Sequence, residues 1–338
     1  MVNIRDVAKT AGVSVATVSR VINKNPNVSI NTQTRVEKVI KQLGYKPNVI
    51  ARSLSSRKTF VVALVVPSIS NPFFPEVARA VEDIAYKEGY KVFLCNTDDK
   101  EDRLKDYLKS FIEHYVDGVI IDSQNITKNQ VYDLKERGIS VVLIDRIEKN
   151  DMNEFTTVYV DNRKGGQLAT EHLLEVGCNY IGHIRGPEDI ETANQRFWGY
   201  KDKVSGLSWY DQSWVGQGDY SVNSGFQVAK ELFMKHKNID GIFAANDLMA
   251  IGALRAAYEW GKVVPDELSI IGFDGISMSS LTVPRISTIQ QPIYNIGKLA
   301  MKELIRLMTE EEVLPQTHEL DLFLQKREST MRPLDMRK

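Results

Sequence analysis

An all-α headpiece followed by an α/β body of two doubly wound subdomains is the fold this 338-residue sequence predicts. Three observations carry that expectation. Residues 1–58 hold eleven Lys and Arg against two acids, Asp6 and Glu37, a formal +9, while the remainder holds 32 basic and 42 acidic side chains, or −10. Helical periodicity punctuated by glycine fills the first 44 positions. From Phe60 onward, short apolar runs alternate with amphipathic helical stretches, the pattern of parallel sheets covered by helices. The split in charge points to a polyanion partner for the first segment alone.

The headpiece reads as three helices. Ile4, Val7, Ala8 and Ala11 recur at helical spacing behind Asn3 as N-cap, and Gly12 supplies the turn that ends the helix. Ser14 caps a second helix carrying Val15, Val18, Val21 and Ile22. A third, from about Thr32 to Leu43, puts Val36, Val39, Ile40 and Leu43 on one face and stops at Gly44. Helix, short glycine turn, helix is the spacing of a helix-turn-helix, whose second helix enters the DNA major groove. Val15, Ala16 and Thr17 are then the candidate base readers. Small apolar groups suit thymine methyls, and hydroxyls and Arg20 suit bases or phosphates.

Between Pro47 and Thr59, NVIARSLSSRK has helix-compatible residues but only about ten of them, too few to hold a helix alone in water. It orders only when packed against something. Arg52 and Arg57 can meet phosphates, and Ala51 permits close approach of a second helix.

The apolar runs of the body are FVVALVVP (60–67), KVFLCN (91–96), GVIID (118–122), VVLID (141–145), YIGHI (180–184), GIFAAN (241–246) and LSIIGFD (268–274). Seven such units overfill one small sheet, which is why two subdomains are expected. Ligands of open α/β sheets bind beyond the carboxyl ends of the strands. Those positions carry Asn71, Phe73, Phe74, Asp145, Arg146, Arg196, Tyr220, Asn246, Asp274 and Gln291. Aromatic faces with bidentate polar groups suit a polyhydroxylated ring. Taken singly, Phe73 and Phe74 also fit a core, Asp145 and Arg146 an ion pair, and Asn246 a helix cap.

Other chemistries find less support. At 43% hydrophobic and 26% charged the composition is that of a soluble globular chain, and no apolar run approaches the ~20 residues that span a bilayer. The N-terminus lacks a signal peptide's apolar core, so a cytoplasmic location is expected. Cys95 and Cys178 fit two reduced structural thiols. The five histidines, His114, His172, His183, His236 and His318, show no metal-ligand spacing, and neither a GxSxG elbow nor a P-loop is present. Gly165-Gly166 is too short a glycine signal for a dinucleotide. Asp145 and Asp274 invite a glycosidase reading, but Arg146 is expected to hold Asp145 ionised. No catalytic residue, metal or cofactor is expected.

IRDVAKTAGVSVATVSRVIN followed by TRVEKVIKQLGYKPNVIARSL closely resembles the headpiece of the lac repressor family, and the resemblance runs to about residue 328. It implies a DNA-contact set of Ser14, Val15, Ala16, Thr17, Arg20, Asn23, Tyr45, Ala51, Arg52 and Leu54, with Leu54 wedged into a base step by a hinge helix paired with its dimer mate in the minor groove. For the body it implies the fold of periplasmic sugar-binding proteins, with a pocket most like that of ribose-binding proteins and ribose-operon repressors. Arg146, Arg196, Asn246, Asp274 and Gln291 then bond sugar hydroxyls, and Phe73, Phe74 and Tyr220 sandwich the ring. Tyr220 departs from the pattern, because its hydroxyl adds a polar group where another aromatic is often found.

The resemblance sets the expected boundaries: headpiece 1–46, hinge 47–59, and sugar-binding and dimerisation domain 60–338. Its subdomains are expected at roughly 60–159 plus 290–320 and 160–289 plus 321–330. The implied function is a homodimeric repressor on a palindromic operator, released by a small sugar such as D-ribose. The alternative is a global carbon-catabolite regulator with a phosphorylated carrier protein as co-regulator. A purine-type corepressor reading and a transport-type binding protein fit less well. The last residues, TMRPLDMRK, have no apolar heptads, so a tetramerising coiled coil is not expected.

Overall fold

The structure is a computed structural model that describes residues 2–22, 26–45, 58–114, 116–145 and 154–331. The chain divides into two compact units, Met1–Thr59 and Phe60–Lys338.

In the first unit α1 (Ile4–Ala11) opens on a capping box. Asn3 Oδ1 accepts from the backbone of Arg5 and Asp6, and the Asp6 carboxylate accepts from Asn3 N at 2.9 Å. Such caps are worth about 1 kcal/mol. Gly12 closes the helix at φ 64°, in the left-handed region. Helix α2 (Val15–Ile22) starts where Ser14 Oγ accepts from Thr17 N at 3.1 Å. Helix α3 (Ile30–Leu43) begins two residues before the expected Thr32, because Ser29 takes the capping role and draws Ile30 and Asn31 into the first turn. Val7, Ala8, Ala11, Val18, Val21, Val36 and Val39 form the small shared core.

The second unit runs β1 (Val61–Val66), α4 (Phe73–Lys87), β2 (Lys91–Asn96), α5 (Glu101–Glu113), β3 (Gly118–Ile121), α6 (Lys128–Glu136), β4 (Ser140–Ile144) and β5 (Thr156–Val160). It continues with α7 (Asn162–Glu175), β6 (Ile181–Arg185), α8 (Glu191–Val204), β7 (Val215–Gln217), α9 (Val222–Lys235), β8 (Gly241–Ala244), α10 (Asp247–Glu259) and β9 (Ser269–Asp274). Last come β10 (Ser287–Gln290), α11 (Ile293–Thr309), β11 (Thr317–Leu320) and β12 (Phe323–Gln325).

These strands form two six-stranded sheets, ordered β11-β5-β4-β3-β1-β2 and β12-β10-β9-β8-β6-β7. All pairs are parallel except β10 with β12. The seven apolar runs each contain one strand. The five others lack such a run: β5 and β10 are rich in Thr and Ser, and β7, β11 and β12 are short sheet-edge strands.

The chain passes between the sheets after β5, after β10 and after β11. In each sheet the order reverses at one place, beside β1 in the first and β6 in the second. That is where a crevice opens at the carboxyl ends of the strands. Cores of Val, Ile, Leu and Ala flank both faces of both sheets. Among the described residues no helix is long and apolar enough to cross a membrane.

Candidate DNA and effector sites

In the headpiece, α2 buries Val18 and Val21 and turns Ser14, Val15, Ala16 and Arg20 outward. Val15 is 41% exposed. An exposed valine beside an exposed alanine in a helix's first turn gains nothing from water and suits contact with base methyls. Thr17 is half-buried, with its hydroxyl 2.9 Å from that of Ser14, so the pair presents one fixed polar edge. Tyr45 is half-buried against the headpiece core. The expected contacts Asn23, Ala51, Arg52 and Leu54, and the effector residue Arg146, lie outside the described residues.

In the body, a cavity of about 500 Å³ opens between the two sheets' strand ends. Pro67, Ser68, Ser70, Asn71, Phe74, Asp99, Asp122, Gln124 and Asp145 line it from the first half. Ile190, Thr192, Asp219, Tyr220, Ser221, Val222, Leu248 and Met278 line it from the second. Of the expected effector residues, Asn71, Phe74, Asp145 and Tyr220 therefore stand in the wall. Phe73 does not: it is buried in the core and meets Phe74 edge-on, with ring centroids 5.0 Å apart.

Arg196, Asp274 and Gln291 sit behind the wall in a network of their own, and Asn246 is buried separately from it. Arg196 Nε donates to Asn162 Oδ1 at 2.8 Å, and its Nη1 donates to Ala245 O at 2.7 Å and to Asp274 Oδ1 at 3.2 Å. Gln291 Nε2 donates to the same Asp274 oxygen at 2.9 Å, and the guanidinium stacks 3.8 Å from the Phe273 ring centre. Asn246 caps α10 by accepting from Met249 N at 2.9 Å, while its Nδ2 donates to Tyr220 O at 3.1 Å. Its cap role and its place beside the cavity thus coexist.

Glycines let helices bring Arg196 to Asn162. A Cβ on Gly166 would lie 2.2 Å from the Arg196 carbonyl, and one on Gly199 2.1 Å from that of Arg163. Gly166 is thus a packing contact between α7 and α8, while Gly165 faces the Phe273 ring of β9, 2.5 Å from where its Cβ would lie.

Electrostatics sharpen the picture. Burial pushes the Asp145 carboxyl up to about 6, partly offset by the charge of Arg196. The expectation that Arg146 keeps Asp145 ionised falls on a residue outside the described ones; of the described cations, Arg196 acts on Asp145, and desolvation outweighs it. Burial, then the charges of Asp145 and Asp99, hold Asp122 well above the usual carboxylate range. Burial also raises Asp274, against the opposing pull of Arg196 and Gln291. Three residues lining the cavity, Asp99, Asp145 and Tyr220, and Asp274 behind its wall have φ of 53°, 51°, 67° and 103°. Non-glycine residues in that region carry strain of order 1–3 kcal/mol each and cluster at functional sites.

Asp99, Asp122, Asn162, Thr192 and Asp219 escaped the sequence reading. Asp122 ends the run GVIID, so the strand-end rule that selected Asp145 selects it equally. Asn162 reaches Arg196 across 34 residues, which no local pattern signals.

A family model described as periplasmic binding proteins and sugar-binding domain of the LacI family matches residues 59–327. A second, for bacterial regulatory proteins of the lacI family, matches residues 3–48. The chain belongs to the lac repressor family. Its curated relatives include a ribose operon repressor of Halalkalibacterium halodurans, 41% identical over 98% of this chain and 97% of that one. Catabolite control protein A of Priestia megaterium is 38% identical over 97% and 99%. Among solved structures, the lac repressor dimer bound to operator and the anti-inducer ONPF superposes with a TM-score of 0.86 at 26% identity, covering 98% of this chain and 99% of that one. As a lac repressor family member the chain is a transcription regulator with a DNA-binding headpiece and an effector-binding body.

Proposed function

We infer that this protein is a cytoplasmic, homodimeric repressor of a sugar-utilisation operon, released from a palindromic operator by D-ribose. The cleft carries the reading: carboxylates, an amide and a Tyr ring at strand ends, backed by Arg196, Asp274 and Gln291, form a site for a small polyhydroxylated ring. The relative named a ribose operon repressor supports that choice of sugar. In this reading the headpiece spans 1–46, the hinge 47–59 and the sensor 60–338. Val15, Ala16 and Thr17 read bases and Arg20 a base or phosphate.

The cleft is a sensor and performs no chemistry. Sugar binding draws the two halves together and disfavours the hinge arrangement that holds operator. For that to work, the sugar must bind the two states with different affinity. Gel shifts with an operator duplex test it: saturating D-ribose is expected to weaken binding by roughly tenfold or more. Unchanged operator affinity with sugar demonstrably bound overturns the induction model. The catabolite-regulator alternative predicts instead tighter operator binding with a phosphorylated carrier protein, independent of ribose.

A further inference from the structure

The first turn of α10 lies against the cleft, and the residues that open it hold the backbone of two site residues. Asn246 Nδ2 holds the Tyr220 carbonyl. Asp247, fully buried, turns the other way: its Oδ2 accepts from Gly275 N at 2.9 Å and from Ile276 N at 2.8 Å. Those peptides directly follow Asp274. Tyr220 and Asp274 are two of the residues in the left-handed region, at φ 67° and 103°, and Gly275 follows at 79°. Strained backbone persists only where its surroundings over-determine it. Leu248, next along the helix, stands in the cavity wall.

Gly272 gives an independent sign that the fold is arranged around this carboxyl. A Cβ there would lie 2.3 Å from Asp247 Oδ1, so the buried strand β9 gives up a side chain at that point. A glycine inside a strand weakens it and marks close approach of another group. Oδ1 itself has no hydrogen-bond partner. Asp274 from β9, Thr288 from β10, Ser279 from the turn 277–280 and Arg327 from the C-terminal segment all act on or bear the influence of this carboxyl.

We propose that Asp247 is a positioning residue for effector binding, whose carboxyl pins the Gly275–Ile276 peptides so that Asp274 keeps facing Arg196 and Gln291. The proposal rests on the cleft being the sugar site. Burial and the charge of Asp274 push the Asp247 carboxyl up to about 7, against the opposing pull of Thr288, the Ile276 N–H and Ser279. Ionisation would set a second buried negative charge beside Asp274, the residue this carboxyl positions, so the effector-binding arrangement favours the protonated form. Sugar affinity therefore declines as pH rises through about 7, by up to about tenfold per unit.

The test uses the full chain, calorimetric titration with D-ribose across that pH range, and hydrogen exchange of Gly275 and Ile276 without ligand. Asp247→Asn keeps a carbonyl for the two N–H groups and cannot ionise. It is expected to retain the affinity of the wild type at mildly acidic pH and to lose the alkaline decline. Asp247→Ala is expected to weaken ribose binding and speed the two exchange rates by roughly tenfold or more. Wild-type affinity and exchange in the Ala variant, or an alkaline decline that survives in the Asn variant, overturns the proposal. Should the Ala variant fail to fold, the Asn pH profile decides. A wild type that binds no ribose overturns the sugar reading instead, and exchange in the ligand-free variants still decides the role of Asp247.

Discussion

The two walls of the cleft are built on opposite electrical plans. On the second sheet's side, Arg196, Asn162, Asp274 and Gln291 are already bonded to one another, and Asn246 and Asp247 hold the neighbouring backbone. On the first sheet's side stand Asp99, Asp122 and Asp145. Asp145 accepts one long bond from Val160 N at 3.4 Å, and burial raises all three. One side is largely bonded to itself before a ligand arrives, with the Tyr220 hydroxyl and Gln291 Oε1 left without partners among the described residues. The other is a set of acceptors that gain partners only when donors arrive. A sugar, with a donor on each hydroxyl, fits the second description as ligand and the first as template.

The sharpest way to break this comparison is to remove the cation of the bonded wall. Arg196→Leu keeps bulk over Phe273 but leaves Asp274 buried without its counter-charge. Breaking a buried pair costs about 3–5 kcal/mol, so urea unfolding is expected to shift by that amount and ribose binding to disappear. A loss below about 1 kcal/mol, the value of an exposed ion pair, means that the wall is not preorganised by its ion pair.

A smaller effect comes from pH at the other wall. Asp145 has a raised value, about 6, and sugar hydroxyls bond its ionised form. Protons therefore compete with the sugar, and affinity is expected to fall by up to about tenfold per unit as pH drops below about 6. Calorimetry of the wild type and of Asp145→Asn measures it. An acid decline that persists in the Asn variant assigns the proton to another carboxylate. With the alkaline decline expected from Asp247, ribose binding should be strongest between these two values.

Much of this was legible because the relevant physics is local. Capping at Asn3 and Ser14, the glycine stop at Gly12, and alternation of apolar runs with helical patterns depend on neighbours within a turn or a strand. Asp145, Tyr220 and Asp274 follow from the strand-end rule. What was not legible depends on contacts between distant segments. Whether Phe73 faces the core or the cavity is decided by the turn at Asn71, whose Oδ1 accepts from Phe73 N at 3.1 Å. The raised value of Asp145 is likewise hidden from the sequence, because desolvation depends on what the fold packs around it. In the sequence Asp247 simply follows Asn246 at the end of a strand run, which does not say where its carboxyl turns. Only the fold places it beneath Asp274.

The smallest expected effect tests the acceptor wall's cost to stability. Asp122 is raised by burial and by its neighbours Asp145 and Asp99, so the native state holds its proton more tightly than the unfolded chain does. Stability then falls as pH rises from the ordinary carboxylate value toward the raised native value, because the unfolded state releases its proton first. Asp122→Asn removes that penalty and is expected to stabilise the ligand-free protein at neutral pH by on the order of 1 kcal/mol. Its advantage should shrink in acid. The same change removes an acceptor from the cavity and should weaken ribose binding, so one substitution moves stability and affinity in opposite directions. A neutral or destabilising result in urea melts at pH 7 would mean that Asp122 is satisfied in the empty cleft, and the contrast between a bonded wall and a waiting one would fail on the side where it is drawn most strongly.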